Sequence, residues 1–342
     1  MSDTRATLDR LLNRVDLTES EAAETLRART HPDLSPAVAA ALLTALRMKG
    51  ETAAELRGFA TAMRALAVPV LLPPGVAAAD VVGTGGDSSG SLNLSTGSAL
   101  VAAACGAPIV KHGNRSVSSK SGSADVLEAL GVPLARDAAE AAACFARCGF
   151  AFLFAQNFHP AMKAVAPVRR ALGARTVFNI LGPLTNPAAP PYGLIGAFDL
   201  QTARLMADAL AGLPIARYFV VHGEPGWDEA TPVGPFTVFD VTPGSVRRQK
   251  RNPAHYGIVP CTPQDLAGGD AAENARALEA VLAGRDRGPH AEALVLGAGL
   301  VLDLTGRAHG LRRGIETARR ALAEGAGAKL LAALREFGVA RG

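Results

Sequence analysis

The chain has 342 residues, 49% of them hydrophobic and 19% charged, so it can bury a sizeable core and is not a disordered or low-complexity segment. Its 35 basic and 31 acidic residues leave a net charge of +4, which suits anionic small molecules but is too small to demand a polyanionic partner. Aromatics at 5% give few platforms for stacking nucleic-acid bases, and no apolar run reaches the ~18 residues needed to span a bilayer.

Residues 1–72 predict helices only. Thr18 and Thr52, each followed three positions later by glutamate (Glu21 and Glu55), are capping boxes. Ser35-Pro36 starts a further helix and Gly50 is placed to stop it, with Leu42, Leu43 and Leu46 at helical spacing. The opening residues run straight into an amphipathic pattern without a signal-peptide core. Cys105, Cys144, Cys148 and Cys261 form no CxxC pair, and Cys144 and Cys148 read as thiols packed on a helix. A reducing, cytoplasmic setting is expected.

After Pro73-Pro74-Gly75 the pattern changes. Short apolar runs at 80–82, 108–110, 150–154, 193–197 and 217–221 alternate with helical stretches at 95–105, 123–130, 138–148 and 199–212. Such alternation predicts an α/β domain with both sheet faces covered. The segment 161–187 interrupts it and ends in the rigid string Gly182-Pro183-Leu184-Thr185-Asn186-Pro187, a piece able to pack back on the N-terminal helices. Beyond 270 the chain is again mostly helical, and Arg247, Arg248, Lys250 and Arg251 read as a solvated loop.

Three strings carry chemistry. Asp80-Val81-Val82-Gly83-Thr84-Gly85-Gly86-Asp87 is a strand running into glycines, followed by Asn93-Leu94-Ser95-Thr96-Gly97 at a helix start. Glycines let backbone N–H groups approach a phosphate, and the helix N-terminus adds free donors, although such a string is also met as a mere turn. Lys111-His112-Gly113-Asn114-Arg115-Ser116-Val117-Ser118-Ser119 follows the next strand; loops at the carboxyl ends of neighbouring strands converge on one crevice, and these two suggest a polyphosphate cradle. Asp228-Glu229 offers hard oxygen ligands suited to Mg²⁺, yet alone reads as a solvated turn. Arg169-Arg170 could grip a carboxylate or simply cover apolar surface. His112, His159 and His222 show no metal-ligand spacing.

Taken in order, these strings, with Gly122-Ser123-Ala124-Asp125, His159-Pro160-Ala161-Met162 and Phe178-Asn179-Ile180-Leu181 running into Gly182, resemble the anthranilate phosphoribosyltransferase family over essentially the whole chain. The resemblance implies a small all-helical domain plus a larger α/β domain with a mixed, mostly parallel sheet covered by helices. The helical domain would be 1–72, with 168–190 returning to it, and the α/β domain 73–167 and 191–342. It further implies transfer of a phosphoribosyl group from phosphoribosyl pyrophosphate to the amine of anthranilate, with two Mg²⁺ per subunit, and a cytoplasmic homodimer.

The residues carried over are Gly83, Gly86, Asp87, Ser91, Asn93, Leu94, Ser95, Thr96, Lys111, His112, Gly113, Asn114, Arg115, Ser116, Val117, Ser118, Ser119 and Ser123 for the donor. Gly83, His112, Asn114, Arg169 and Pro183 would face anthranilate. Ser95, Asp228 and Glu229 would be metal ligands. Ser88, Ser91, Phe158 and Trp227 depart from the family's commoner residues without removing a ligand. No general base is assigned: His112 is the one candidate, and an aromatic amine is already neutral at pH 7. Two readings compete, a pyrimidine nucleoside phosphorylase and a nucleic-acid-binding relative; Arg169 and the acidic pair count against the first, scarce aromatics against the second.

Overall fold

The computed structural model describes residues 4–29, 34–116 and 120–340. Helices Thr4–Leu12, Glu19–Arg29, Pro36–Lys49 and Ala53–Ala65 open the chain. The Thr52 hydroxyl accepts the Glu55 N–H at 3.2 Å while Glu55 accepts the Thr52 N–H at 2.8 Å, and Thr18 and Glu21 make the same exchange. Each box satisfies donors that a helix start leaves orphaned. Ser35 makes no side-chain cap bond; Pro36, with its fixed φ, begins that helix, and Gly50 at φ 90° ends it. Glu55 is wholly buried and also accepts from the Leu17 N–H and the Lys49 ammonium, so its charge is paired where water is absent.

The α/β part is built on seven strands: β1 (Ala79–Gly83), β2 (Ile109–Gly113), β3 (Phe150–Phe154), β4 (Tyr192–Gly196), β5 (Arg217–Gly223), β6 (Phe236–Thr242) and β7 (Ser245–Arg251). Their order is β3-β2-β1-β4-β5-β6-β7, with β1 to β5 parallel and β6 and β7 antiparallel. The mixed, mostly parallel sheet matches the expectation. The patch at 247–251 is not the expected loop. It lies in edge strand β7, whose residues are largely exposed and lack apolar alternation, and its charges discourage further edge pairing.

From β1 the chain steps outward to β2 and β3, then returns to the other side of β1 for β4 and β5. The order reverses between β1 and β4, the place where open α/β sheets form a ligand crevice. Helices Leu94–Ala104, Ser123–Ala129, Ala138–Cys148 and Leu200–Leu210 make the crossovers, and four helices from Ala271 onward finish the cover.

The buried apolar residues form two clusters. One joins Val81, Ile109 and Phe152 to helix Leu94–Ala104 and the C-terminal helices. The other joins the N-terminal helices to Val165, Val168, Phe178 and Leu181, and on to Ile195, Met206, Tyr218 and Val220. Helix Met162–Leu172 packs on Pro36–Lys49, and Arg64 Nε donates to the Leu184 carbonyl at 2.7 Å. The 162–184 segment thus joins the N-terminal bundle to one face of the sheet.

Candidate active site

The site lies at the carboxyl ends of β1, β2, β4 and β5. Three glycines end strands there because the loop carrying Asp228 and Glu229 lies against them. A Cβ on Gly83 would stand 2.5 Å from Asp228 Oδ2, on Gly196 1.5 Å from the Asp228 carbonyl oxygen, and on Gly223 2.1 Å from the Glu229 carbonyl oxygen. Any side chain at these positions would expel the acidic loop. Gly196 and Gly223 were not among the residues expected from sequence; strands β4 and β5 both ending in glycine were the available signal.

Two loops meet on this floor. The Gly85 N–H donates to Asp228 Oδ2 at 2.7 Å, and the Asp228 N–H donates to Asp87 Oδ2 at 3.3 Å. Burial, and next the Asp87 charge, push the Asp228 carboxyl well above its usual range. Burial and the Asp228 charge hold Glu229 well above its usual range, with the Lys111 charge opposing.

Lys111 is itself buried beneath them. Its ammonium donates to the Val81 carbonyl and, at 3.3 Å, to Ser95 Oγ; burial pushes it down, while Asp80, Glu229 and Asp228 pull the other way. Its tip therefore lies within the protein on the Val81 carbonyl and Ser95 Oγ, close enough to feel the charges of the acidic pair.

The fit to a divalent cation rests on this donor set: two crowded carboxylates with Asp87 beside them and the Ser95 hydroxyl nearby. Among the described residues, no group of three or more His, Cys, Asp or Glu side chains closes around one point as a full metal cage. An open carboxylate pair is how Mg²⁺ is commonly held, its remaining positions filled by waters and substrate phosphates. Asp228 and Glu229 fit it.

Asn93 precedes helix Leu94–Ala104, its side chain held by the Ser121 carbonyl (3.0 Å) and Asn274 (2.9 Å). Thr96 Oγ1 is buried with no partner among the described residues. The Leu94 side chain is buried in the core, leaving its backbone for the site. Ser91 stays in reach of the loop through Ser89 Oγ at 3.2 Å. Gly113 ends β2, where a Cβ would stand 2.4 Å from Ser123 Oγ, and that hydroxyl donates to the Asn114 carbonyl at 3.1 Å. Arg115 is engaged elsewhere: it pairs with Asp125 at 2.8 Å and Glu128 at 2.5 Å, and the Ser116 N–H also reaches Asp125. Val117, Ser118 and Ser119 lie outside the described residues.

A second wall carries two buried imidazoles and a guanidinium. The His112 and His159 rings lie 5.0 Å apart, both buried, next to the Gly182–Leu184 turn that contains Pro183. Burial, then the His159 ring, push His112 down to about 3, and burial pushes His159 down to about 4. The turn is pinned to the sheet through Asn186, whose side chain donates to Asp80 Oδ2 (2.8 Å) and the Val110 carbonyl (2.9 Å). Arg169, on helix Met162–Leu172, stands over the Phe178 ring with its guanidinium carbon 5.4 Å from the centroid. It has no hydrogen bond or ion pair to any described residue, and burial lowers its affinity for its proton. A half-buried, uncompensated guanidinium over a ring is able to receive a planar carboxylate.

A helical bundle joined to an α/β sheet, with a glycine loop and acidic pair at the strand reversal, defines a two-domain glycosyl transferase. The "Glycosyl transferase family, helical bundle domain" matches residues 5–67 and the "Glycosyl transferase family, a/b domain" residues 75–328. The anthranilate phosphoribosyltransferase of Rubrobacter xylanophilus is 46% identical over 94% of this chain and 92% of its own. The crystal structure of the Thermus thermophilus enzyme superposes with a TM-score of 0.91 at 42% identity, covering 97% of this chain and 99% of that one. The Saccharomyces cerevisiae enzyme in complex with PRPP and Mg superposes with a TM-score of 0.90 at 27% identity, covering 98% of each chain; it is also known in complex with 4-fluoroanthranilate. The chain belongs to the anthranilate phosphoribosyltransferase family.

Proposed function

We propose that the enzyme transfers the phosphoribosyl group of phosphoribosyl pyrophosphate to the amine of anthranilate, in the course of tryptophan biosynthesis. The reading is carried by the glycine loop and acidic pair at the strand reversal, and supported by an uncompensated Arg169 on the segment whose Arg175 reaches that loop. The PRPP–Mg and 4-fluoroanthranilate complexes of the yeast enzyme support the same assignment of ligands.

In the reaction the amine lone pair attacks the anomeric carbon, the bond from that carbon to the pyrophosphate oxygen breaks, and pyrophosphate leaves with the electron pair. The amine proton passes to solvent or to pyrophosphate. Mg²⁺ bound with the donor supplies charge neutralisation at the leaving group. The backbone N–H groups of the glycine loop and of residues 93–96 hold phosphate oxygens, and Asp87, whose carboxylate would repel them, takes a ribose hydroxyl or a metal-bound water. Asp228, Glu229 and Ser95 would hold the metal, and two ions per subunit is the stoichiometry we propose.

Arg169 holds the anthranilate carboxylate so that the amine faces the sugar, with Asn114, Gly83 and Pro183 around the ring. His112 lines the pocket as a weak candidate for the base, because burial and the neighbouring His159 ring disfavour its protonated form. We further propose residues 1–72 with 168–190 as the helical domain and 73–167 with 191–342 as the α/β domain. Exposed Leu12, Val15 and Met48 on the helical domain support a homodimer. Four free cysteines support a cytoplasmic location, and no helix among the described residues is long and apolar enough to cross a membrane. The test is donor-dependent consumption of anthranilate.

A further inference from the structure

Gly85, Gly86 and Ser88 sit at φ 67°, 81° and 60°, so the turn after β1 has little side-chain packing of its own. From outside, Gly85, Gly86 and Asp87 are held by three hydrogen bonds. Two involve Asp228, and the third is donated by Arg175 Nη2 to the Gly86 carbonyl. Arg175 follows helix Met162–Leu172, so this bond links the glycine loop to the segment that packs on the N-terminal bundle.

The consequence is geometric. In a trans peptide the C=O of one residue and the N–H of the next point to opposite sides. With the Gly86 carbonyl fixed on Arg175, the Asp87 N–H is turned away from Arg175. That N–H has no hydrogen-bond partner among the described residues. It is a preset donor for an anionic oxygen. Arg175 is in turn placed by Phe198, just past β4, whose ring centroid lies 4.3 Å from the guanidinium carbon. Arg175 and Phe198 border a cavity of about 350 Å³ that Arg47, Glu51, Asn179 and Gln201 also line. Close packing therefore does not hold the arginine; the ring and the carbonyl do.

We propose that Arg175 is a positioning residue of the donor site: it fixes the Gly86–Asp87 peptide so that the Asp87 N–H meets a phosphate oxygen of the donor. This rests on the reading that the glycine loop holds phosphoribosyl pyrophosphate. Arg175 touches neither substrate.

The test is calorimetric titration of phosphoribosyl pyrophosphate with Mg²⁺ into the enzyme without anthranilate, alongside steady-state kinetics. Arg175→Ala raises the donor Kd and KM roughly fivefold, the size expected for losing one exposed charge-assisted hydrogen bond. Anthranilate KM and the thermal midpoint change little. Arg175→Lys recovers part of the affinity, because an ammonium can also donate, and Phe198→Leu gives an intermediate loss. An unchanged donor Kd in Arg175→Ala overturns the proposal, as do equal rises in both KM values with a lowered midpoint. Asp87→Ala separates the two readings. If it weakens donor binding while Arg175→Ala does not, the Arg175 assignment alone fails; if neither does, the loop is not the donor site.

Discussion

The carbonyl oxygen of Asp228 lies 1.5 Å from where a Cβ on Gly196 would stand. The backbone of the acidic loop thus occupies space that one methyl group would take away. Because both partners are backbone, no side-chain rotation relieves the clash, and the loop must move. Gly196→Ala is expected to leave a folded protein whose kcat/KM falls roughly a hundredfold, the effect of misplacing reacting groups by about an ångström. Circular dichroism and steady-state kinetics together check this; near-normal activity would mean the loop is not seated on β4 during catalysis.

Asp228→Asn and Glu229→Gln remove metal-binding charge while keeping size. Each is expected to raise the Mg²⁺ concentration giving half-maximal rate by at least about tenfold. Mg²⁺ titrations at saturating donor measure it. An unchanged Mg²⁺ requirement in both variants would place the metal elsewhere.

Most strands were legible because buried parallel strands are short apolar runs: Phe150–Phe154 was found with its own bounds, and β1, β2, β4 and β5 within a few residues. Strand β7 was not, since Arg247, Arg248, Gln249, Lys250 and Arg251 lie on an exposed edge and share no apolar pattern; only pairing with β6 makes them a strand. In the site, the glycine loop was readable from glycine chemistry. The acidic pair was not, because Asp228-Glu229 becomes a site only when Gly83, Gly196 and Gly223, distant in sequence, form its floor. Arg115 shows the reverse case, a cation expected at the donor that its neighbours Asp125 and Glu128 engage.

Acceptor recognition is proposed to turn on Arg169. Arg169→Ala is expected to raise the anthranilate KM roughly 10- to 100-fold, the loss of one charge-assisted contact, and to change the donor KM far less. Arg169→Lys should recover little, because an ammonium cannot make the bidentate contact. Equal changes in both KM values would exclude the assignment.

The buried histidines contribute an acid-sensitive part of the folding stability. His112 and His159 are pushed down to about 3 and about 4 in the folded protein, whereas unfolded histidines titrate near 6.5. As pH falls below 6.5 the unfolded chain takes up two protons that the folded one refuses, so stability is lost. At pH 5 the loss is about 2 kcal/mol per ring. Asp80, pushed up to about 6 by burial, works oppositely, the folded state gaining from its proton as pH falls from 6 toward 3.8, and Asp228 and Glu229, also raised by burial, act with the same sign. Urea unfolding at pH 7 and pH 5, with the His112→Gln/His159→Gln double variant beside the parent, measures the slope. Between pH 7 and pH 5 the parent should lose about 4 kcal/mol relative to the double variant, whatever the other groups contribute to both; identical changes would contradict it.

Loss of anthranilate fluorescence on mixing the enzyme with phosphoribosyl pyrophosphate tests the central claim most directly. Fluorescence should fall at a rate that requires both donor and Mg²⁺, with pyrophosphate released in equal amount. Unchanged fluorescence together with phosphate-dependent cleavage of thymidine or uridine would contradict the account.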